Sequence, residues 1–222
     1  KGIKVLLSGA GGDDLFTGYR RHQAHRYEKY WSWLPIHIRQ GLENLSLNLD
    51  QSRTFGRRLG RLFENASGSD NQRLINYFSW AKRTDLLPLF CPEMRVFINN
   101  IKAEQPLINY LDTIEKNVSS MDSLLALEQR FFLADHNLIY TDKMSMEAGI
   151  EVRVPFLDLE LVELASRIPD RFKQNGIVGK WILKKAMVPY LPSDVIYRPK
   201  TGFGAPLRRW IRDDLREMVD DY

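Results

Sequence analysis

Cysteine is almost missing: Cys91 stands alone in a chain of 222 residues. One thiol excludes an internal disulfide and a cysteine-based zinc cluster. It fits a reducing, cytoplasmic setting. Long apolar runs are missing too. None approaches the ~18 residues of a membrane span, and no signal-peptide pattern is visible. The four histidines, His22, His25, His37 and His136, show no metal-ligand spacing. Charge of one sign is scarce: 32 basic residues face 28 acidic ones, a net +4. That excess suits an anionic ligand and is too small to argue for nucleic acid. Internal repeats and low-complexity tracts are absent. What is plentiful is apolar and aromatic: 44% of residues are hydrophobic, among them five Trp, nine Tyr and eleven Phe. Such a chain builds a real core, as one large domain or two small ones.

The most informative stretch comes first. The apolar run of residues 3–7 reads as a buried strand. Ser8-Gly9-Ala10-Gly11-Gly12 follows, and Asp13-Asp14 then opens a helix. Strand, glycine loop and helix is the layout in which backbone N–H groups converge on an anion. Two carboxylates there repel a bare phosphate, so a phosphate ligand implies a cation. Magnesium fits, because one or two carboxylates plus phosphate oxygens hold it. On spacing alone, the same residues also read as a plain turn with Asp13 capping the helix.

After Tyr19 the pattern is helix after helix, expected over residues 22–33, 36–49, 55–63, 74–81 (capped by Asp70), 85–90 and 108–118. The first strand has no obvious partner in the sequence. A fully apolar strand is typical of a parallel sheet buried on both faces, so its neighbours are expected upstream. The chain also starts two residues before that strand, and the expectation is therefore a fragment.

Residues 123–148 form the longest periodic stretch, with Asp122 or Ser123 as the expected N-cap and Gly149 as its end. Asp135 and Asp142 fall on nearly the same side of it. In the following Ile150-Glu151-Val152-Arg153-Val154-Pro155, alternation puts Glu151 and Arg153 on one side of an extended chain. A carboxylate and a guanidinium presented together suit the wall of a polar site; an inward structural ion pair is the alternative. Helices are expected over 159–167, 179–190 and from Pro206 onward. Between the last two, prolines and glycines frame Arg198 and Lys200. Such a loop can close its cations over a phosphate, or be an exposed basic loop and nothing more.

Three separated segments carry a resemblance. Ser8-Gly9-x-Gly11-x-Asp13-Asp14-x-Phe16-x-Gly18-Tyr19 resembles the second nucleotide-site loop of asparagine synthetase B-type (glutamine-hydrolysing) enzymes. Asp142-Lys143-Met144-Ser145-Met146 with Glu151-Val152-Arg153-Val154-Pro155-Phe156-Leu157-Asp158 looks like that family's signature block. Arg198-x-Lys200-x-Gly202-Phe203, with Pro206 and Trp210, resembles its closing segment. The fold this implies is mainly α: the helical C-terminal portion of an adenine-nucleotide α-hydrolase-like (ATP pyrophosphatase) α/β synthetase domain. One parallel strand stands at its N-terminus. Residues 1–20 form the strand–loop–helix of the nucleotide site and 21–222 the helical extension.

The reaction the resemblance implies uses ATP and Mg2+. Aspartate is activated as β-aspartyl-AMP with release of pyrophosphate, and ammonia derived from glutamine then gives asparagine. Ser8 and Gly9 would line the nucleotide or acyl-adenylate pocket, and Asp13 would bind magnesium with Asp14 in support. Lys200 would stabilise the phosphates and Arg198 would contact them. Glu151 and Arg153 would shape the pocket near the acyl group and the amine, and Asp142 would fix the helix beside them. The partners implied are the upstream glutaminase and pyrophosphate-loop segments. Lys1 stands where a glutaminase cysteine would have to be, and no Ser-Gly-Gly-x-Asp-Ser loop is present. The fragment is expected to be inactive alone. A homodimer is allowed, and no membrane is expected.

Two departures bear on the substrate. Ala10 stands where many members have Glu near the reacting acyl group, and Tyr140 where a Lys often precedes the signature Asp. Ala10 keeps a related amide-forming synthetase open, acting on a sugar, peptide or β-lactam precursor. A helical module binding nucleic acid through Arg57, Arg58, Arg61, Arg208, Arg209 and Arg212 is the non-enzymatic alternative.

Overall fold

A computed structural model describes residues 2–50, 53–200 and 206–221. Lys1, Gly202 and Phe203 of the motifs above lie outside the described residues, as does the side chain of Arg208. The chain divides into two compact units, Lys1–Leu183 and Lys184–Tyr222.

The first unit corrects the expectation of a strand without a partner. β1 (Val5–Leu7) pairs in parallel with β2 (Glu151–Arg153), in the register Val5 to Glu151, Leu6 to Val152 and Leu7 to Arg153. The ladder is extended by Glu151 N–H donating to the Lys4 carbonyl and Ser8 N–H to that of Arg153, both at 2.8 Å. The helices form the crossover that a parallel pair requires. The strand is also not buried as expected, with Leu7 75% exposed. A two-stranded sheet leaves β1 only one neighbour, so its apolar side chains have little to pack on.

The helices run in order as α1 (Gly12–Leu15), α2 (Arg20–Glu28), α3 (Ile36–Leu47), α4 (Thr54–Phe63), α5 (Asp70–Asn76) and α6 (Arg83–Leu86). Then come α7 (Pro92–Asn99), α8 (Gln105–Thr113), α9 (Ser120–Leu127), α10 (Ile139–Glu147), α11 (Leu159–Arg167), α12 (Asp170–Lys173) and α13 (Trp181–Met187). Several match the sequence pattern, α11 above all. Its cap is Asp158, whose carboxylate accepts from the N–H groups of Glu160 and Leu161.

Others begin or end elsewhere, for local reasons. α5 starts at Asp70 because Ser69 is the cap, in a reciprocal box with Gln72. α8 stops at Thr113, where Ile114 turns extended. α9 starts at Ser120 because the Ser119 hydroxyl accepts from Asp122 N–H, three residues earlier than expected. α2 ends at Glu28 and the chain to Leu34 continues in turns. α10 ends as expected: Gly149 takes φ +65°, and Ile150 N–H returns to the Ser145 carbonyl.

Between α9 and α10 the same helical rod widens into π turns over Glu128–Leu138. Such turns are uncommon and concentrate at functional sites. Here they pack against α1.

Two cores hold the unit. Leu74, Ile75, Leu111, Met121, Leu124 and Leu127 join α5, α8 and α9. Leu15, Phe16 and Ala165, with Phe156, Leu157 and Ile182 packed on them, fasten α1 to α11 and α13. This second core fixes the glycine loop.

In the second unit lie α14 (Ser193–Ile196), α15 (Leu207–Arg209), π turns over Trp210–Asp214 and α16 (Arg216–Asp220). Arg198 and Lys200 are exposed there, and the Lys184 ammonium lies 5.8 Å from the centre of the Tyr197 ring.

Candidate active site

The glycine loop leaves β1 at Ser8, whose hydroxyl accepts from Ala10 N–H at 3.2 Å. Gly11 has φ +87°, and a Cβ there would lie 2.5 Å from Leu157 Cδ2. Left-handed backbone and close packing together require glycine at this position. The next turn, α1, sends its two carboxylates opposite ways.

Asp14 points inward and is 1% exposed. The Tyr19 hydroxyl donates to it at 3.3 Å and accepts from Asn137 Nδ2 at 3.2 Å. Burial, with the negative charges of Glu128 and Asp13, pushes its carboxyl up to about 6. Burial beside these carboxylates also raises the Tyr19 phenol. The folded state therefore holds a proton on Asp14 that the unfolded chain gives up between pH 6 and 4. The penalty for ionised Asp14 is complete above pH 6 and vanishes below about 4. Asp14→Asn should stabilise the fold at pH 7.5, by roughly 1–3 kcal/mol. The gain should shrink toward zero at pH 4, as read by denaturant unfolding at both pH values.

Asp13 points outward and meets a cation that sequence reasoning missed. Lys180 Nζ lies 2.8 Å from its Oδ1, with the two side chains 28% and 23% exposed. The pairing is built by backbone. Lys180 N–H donates to the Phe16 carbonyl at 2.8 Å, and Gly18 N–H to that of Asp13 at 2.9 Å. Thr17 and Lys180 both take positive φ, +60° and +55°, a conformation that costs residues with a Cβ. Gly18 and Gly179 have no room for a side chain: a Cβ on Gly18 would strike the Asp13 carboxylate, and one on Gly179 the Thr17 carbonyl. The signal in the sequence was two glycines, Gly18 and Gly179, one beside each partner; which cation they bring together depends on the tertiary turn.

The structure brings Ser8, Gly9, Glu151 and Arg153 to the two adjacent strands. Arg153 Nε donates to Glu151 Oε1 at 2.8 Å, and both side chains are more than half exposed. The pair thus faces outward, which removes the alternative of an inward structural ion pair. Asp142 is exposed on α10, about two turns before the bend into β2 at Gly149. Arg198 and Lys200 belong to the second unit.

Behind the loop, Glu128 is fully buried and holds both Arg21 and His22. A second buried set, Glu28 with Arg73, Tyr77 and His25, sits further along α2. Burial alone would raise Glu28, but the hydrogen bonds from His25, Tyr77 and Arg73 outweigh it and keep the carboxyl below its ordinary range.

Among the described residues, no group of three or more His, Cys, Asp or Glu side chains is arranged to hold a metal. Asp14 is turned inward onto Tyr19, away from the outward face of α1. Asp13 is the acid that α1 turns outward, and its Oδ1 is held by the Lys180 ammonium.

No helix among the described residues is long and apolar enough to cross a membrane. No solved structure matches the chain. It is 30% identical to a Mycobacterium tuberculosis protein provisionally named a glutamine-hydrolysing asparagine synthetase, over 96% of this chain and 31% of that one. It is 27% identical to asparagine synthetase 1 of Bacillus subtilis, over 99% and 33%. It is also 24% identical to the amidase chyE of Penicillium rubens, over 99% and 34%. The chain thus spans about a third of the length of the curated relatives it matches. The asparagine synthase family model matches residues 1–222, and the chain belongs to that family.

Proposed function

We propose that the complete protein is an ATP-dependent, AMP-forming carbon–nitrogen ligase that makes asparagine from aspartate and glutamine-derived ammonia. The observation that carries this reading is an outward carboxylate, Asp13, held against the Lys180 ammonium, at the end of the glycine loop that follows the strand paired with Glu151–Arg153. A β-carboxylate oxygen of aspartate attacks the α-phosphorus of ATP, and the bond to pyrophosphate breaks. Ammonia then attacks the acyl carbon, the bond to AMP breaks, and the amine loses a proton.

In the first step Ser8 and Gly9 line the pocket that receives the nucleotide. Asp13 would hold a magnesium ion that neutralises phosphate charge. Lys180 supplies an ammonium beside the loop for the departing pyrophosphate, and we assign Lys200 and Arg198 further phosphate contacts on motif grounds. In the second step Glu151, oriented by Arg153, accepts the amine's proton, and Asp142 steadies the turn from α10 into β2. The single cysteine suits a cytoplasmic setting.

A second reading has the same chemistry on another carboxylate. Ala10, in place of the usual Glu, favours it, and one relative is named an amidase. Carboxylate-dependent ATP–pyrophosphate exchange by the complete protein tests both. Exchange with aspartate supports the first reading, exchange only with other carboxylates the second, and exchange with none refutes both.

A further inference from the structure

A cavity in the first unit shares no residue with the glycine loop. Its volume is about 410 Å3, near the lower end of the roughly 300–1,000 Å3 of small-molecule sites. Its lining comes from the end of α2 and the turn after it, and from the starts of α5, α9 and α12.

Most polar groups in this lining are matched. The Glu28 carboxylate holds Arg73 at 2.8 Å and His25 at 3.3 Å, and Arg73 also holds Asp70 at 2.7 Å. The Ser119 hydroxyl is engaged by Asp122. Lys29 is exposed, with its ammonium 4.7 Å from the centre of the Tyr30 ring. Two groups of opposite charge are left over. Arg26, on α2, has its Nε buried with no acceptor in reach. Asp170, the first residue of α12, is half-buried. Among the described residues, neither side chain forms an ion pair or a hydrogen bond. A buried donor without an acceptor is costly, and native proteins rarely leave one so.

We propose that this cavity binds a free α-amino acid, its carboxylate on Arg26 and its ammonium on Asp170. A guanidinium takes a carboxylate through two parallel N–H bonds. Ser120 and Met121 open α9 beside it. The first N–H groups of a helix lack partners within it, and its dipole favours an anion there. The ammonium of an amino acid carries three donors for the Asp170 carboxylate. A simple anion answers Arg26 alone and a simple cation Asp170 alone; a small zwitterion answers both. The site lies outside the proposed reaction, and the inference does not rest on that reaction.

The test uses the complete protein without ATP. The common amino acids are screened singly for a rise in the midpoint of thermal unfolding, and the strongest is titrated by calorimetry. Its affinity should fall at least about tenfold in Arg26→Met and likewise in Asp170→Asn, the scale of one charge-assisted hydrogen bond. Arg26→Lys should recover part of the loss. The N-acetyl derivative and the α-carboxamide of that amino acid should each bind the unaltered protein at least about tenfold more weakly. Arg26→Gln repeats the measurement should the Met variant fold poorly.

The absence of any amino acid that raises the midpoint overturns the proposal. So does an affinity unchanged in folded Arg26→Gln and Asp170→Asn, because an amino acid held at the reaction site does not depend on either residue. Inorganic phosphate that binds through Arg26 with equal strength in Asp170→Asn, where no amino acid binds, makes the cavity a plain anion site and overturns it too. Failure of carboxylate-dependent pyrophosphate exchange refutes the proposed reaction alone, and the amino-acid titrations still decide the role of this cavity.

Discussion

Lys180→Met in the complete protein should lower the rate of carboxylate-dependent ATP–pyrophosphate exchange by about 10²–10³, which is roughly 3–4 kcal/mol of transition-state stabilisation. Charge builds on the leaving pyrophosphate as the acyl–AMP bond forms, and an ammonium whose backbone is held beside the loop is at hand to meet it. The clasp of Phe16, Thr17, Gly18 and Gly179 is what holds it. The loss should fall on kcat and kcat/KM alike, because the contact matters most in the transition state. Arginine should restore only part of the activity. Its planar head does not reproduce a compact ammonium. Gly18→Ala should impair the same step with both charges still present, since its methyl would wedge against Asp13 and Lys180. Retention of full exchange activity by folded Lys180→Met would remove Lys180 from the mechanism.

Much of this arrangement was legible beforehand, and what was not has a common cause. The strand, the glycine loop and the paired acids are local features, and so are the Gly149 stop and the alternation of Glu151 with Arg153. Each follows from neighbours a few residues apart. The pairing of Val5–Leu7 with Glu151–Arg153 is not local: nothing in either strand names the other across the intervening helices. The inward turn of Asp14 and the outward turn of Asp13 depend on where Tyr19 and Lys180 arrive. The basic residues near the C-terminus drew attention to Lys200, while the cation placed at the loop is Lys180, on a residue whose positive φ no propensity suggests. The caps at Ser69 and Ser119 are a different kind of miss. Both serines precede an Asp that also caps well, and the Ser69–Gln72 box was there to be read.

Glu128→Ala should destabilise the first unit by about 3–5 kcal/mol, the cost of breaking a buried ion pair from one side. Glu128 has no solvent exposure, and both its oxygens are engaged by the Arg21 guanidinium, with His22 Nε2 at 3.2 Å. Arg21 in turn lies over the rings of Tyr19, Phe78 and Phe132. Without Glu128 its charge stays among those rings with no carboxylate to answer it, and water cannot reach it freely. The pair therefore ties α2 to the point where the long helix widens. By contrast, Arg167→Ala, which breaks an exposed pair with Glu163, should change stability by less than about 0.5 kcal/mol. Native-state hydrogen exchange over α2 and the Ser120–Glu147 rod reads both. The double variant Arg21→Met/Glu128→Ala should recover much of the loss, because an apolar side chain among aromatic rings needs no partner. If the double variant were as unstable as the sum of the two single ones, the charge of Arg21 would not be the source of the cost. The packing of the widened turns themselves would then be what Glu128 supports.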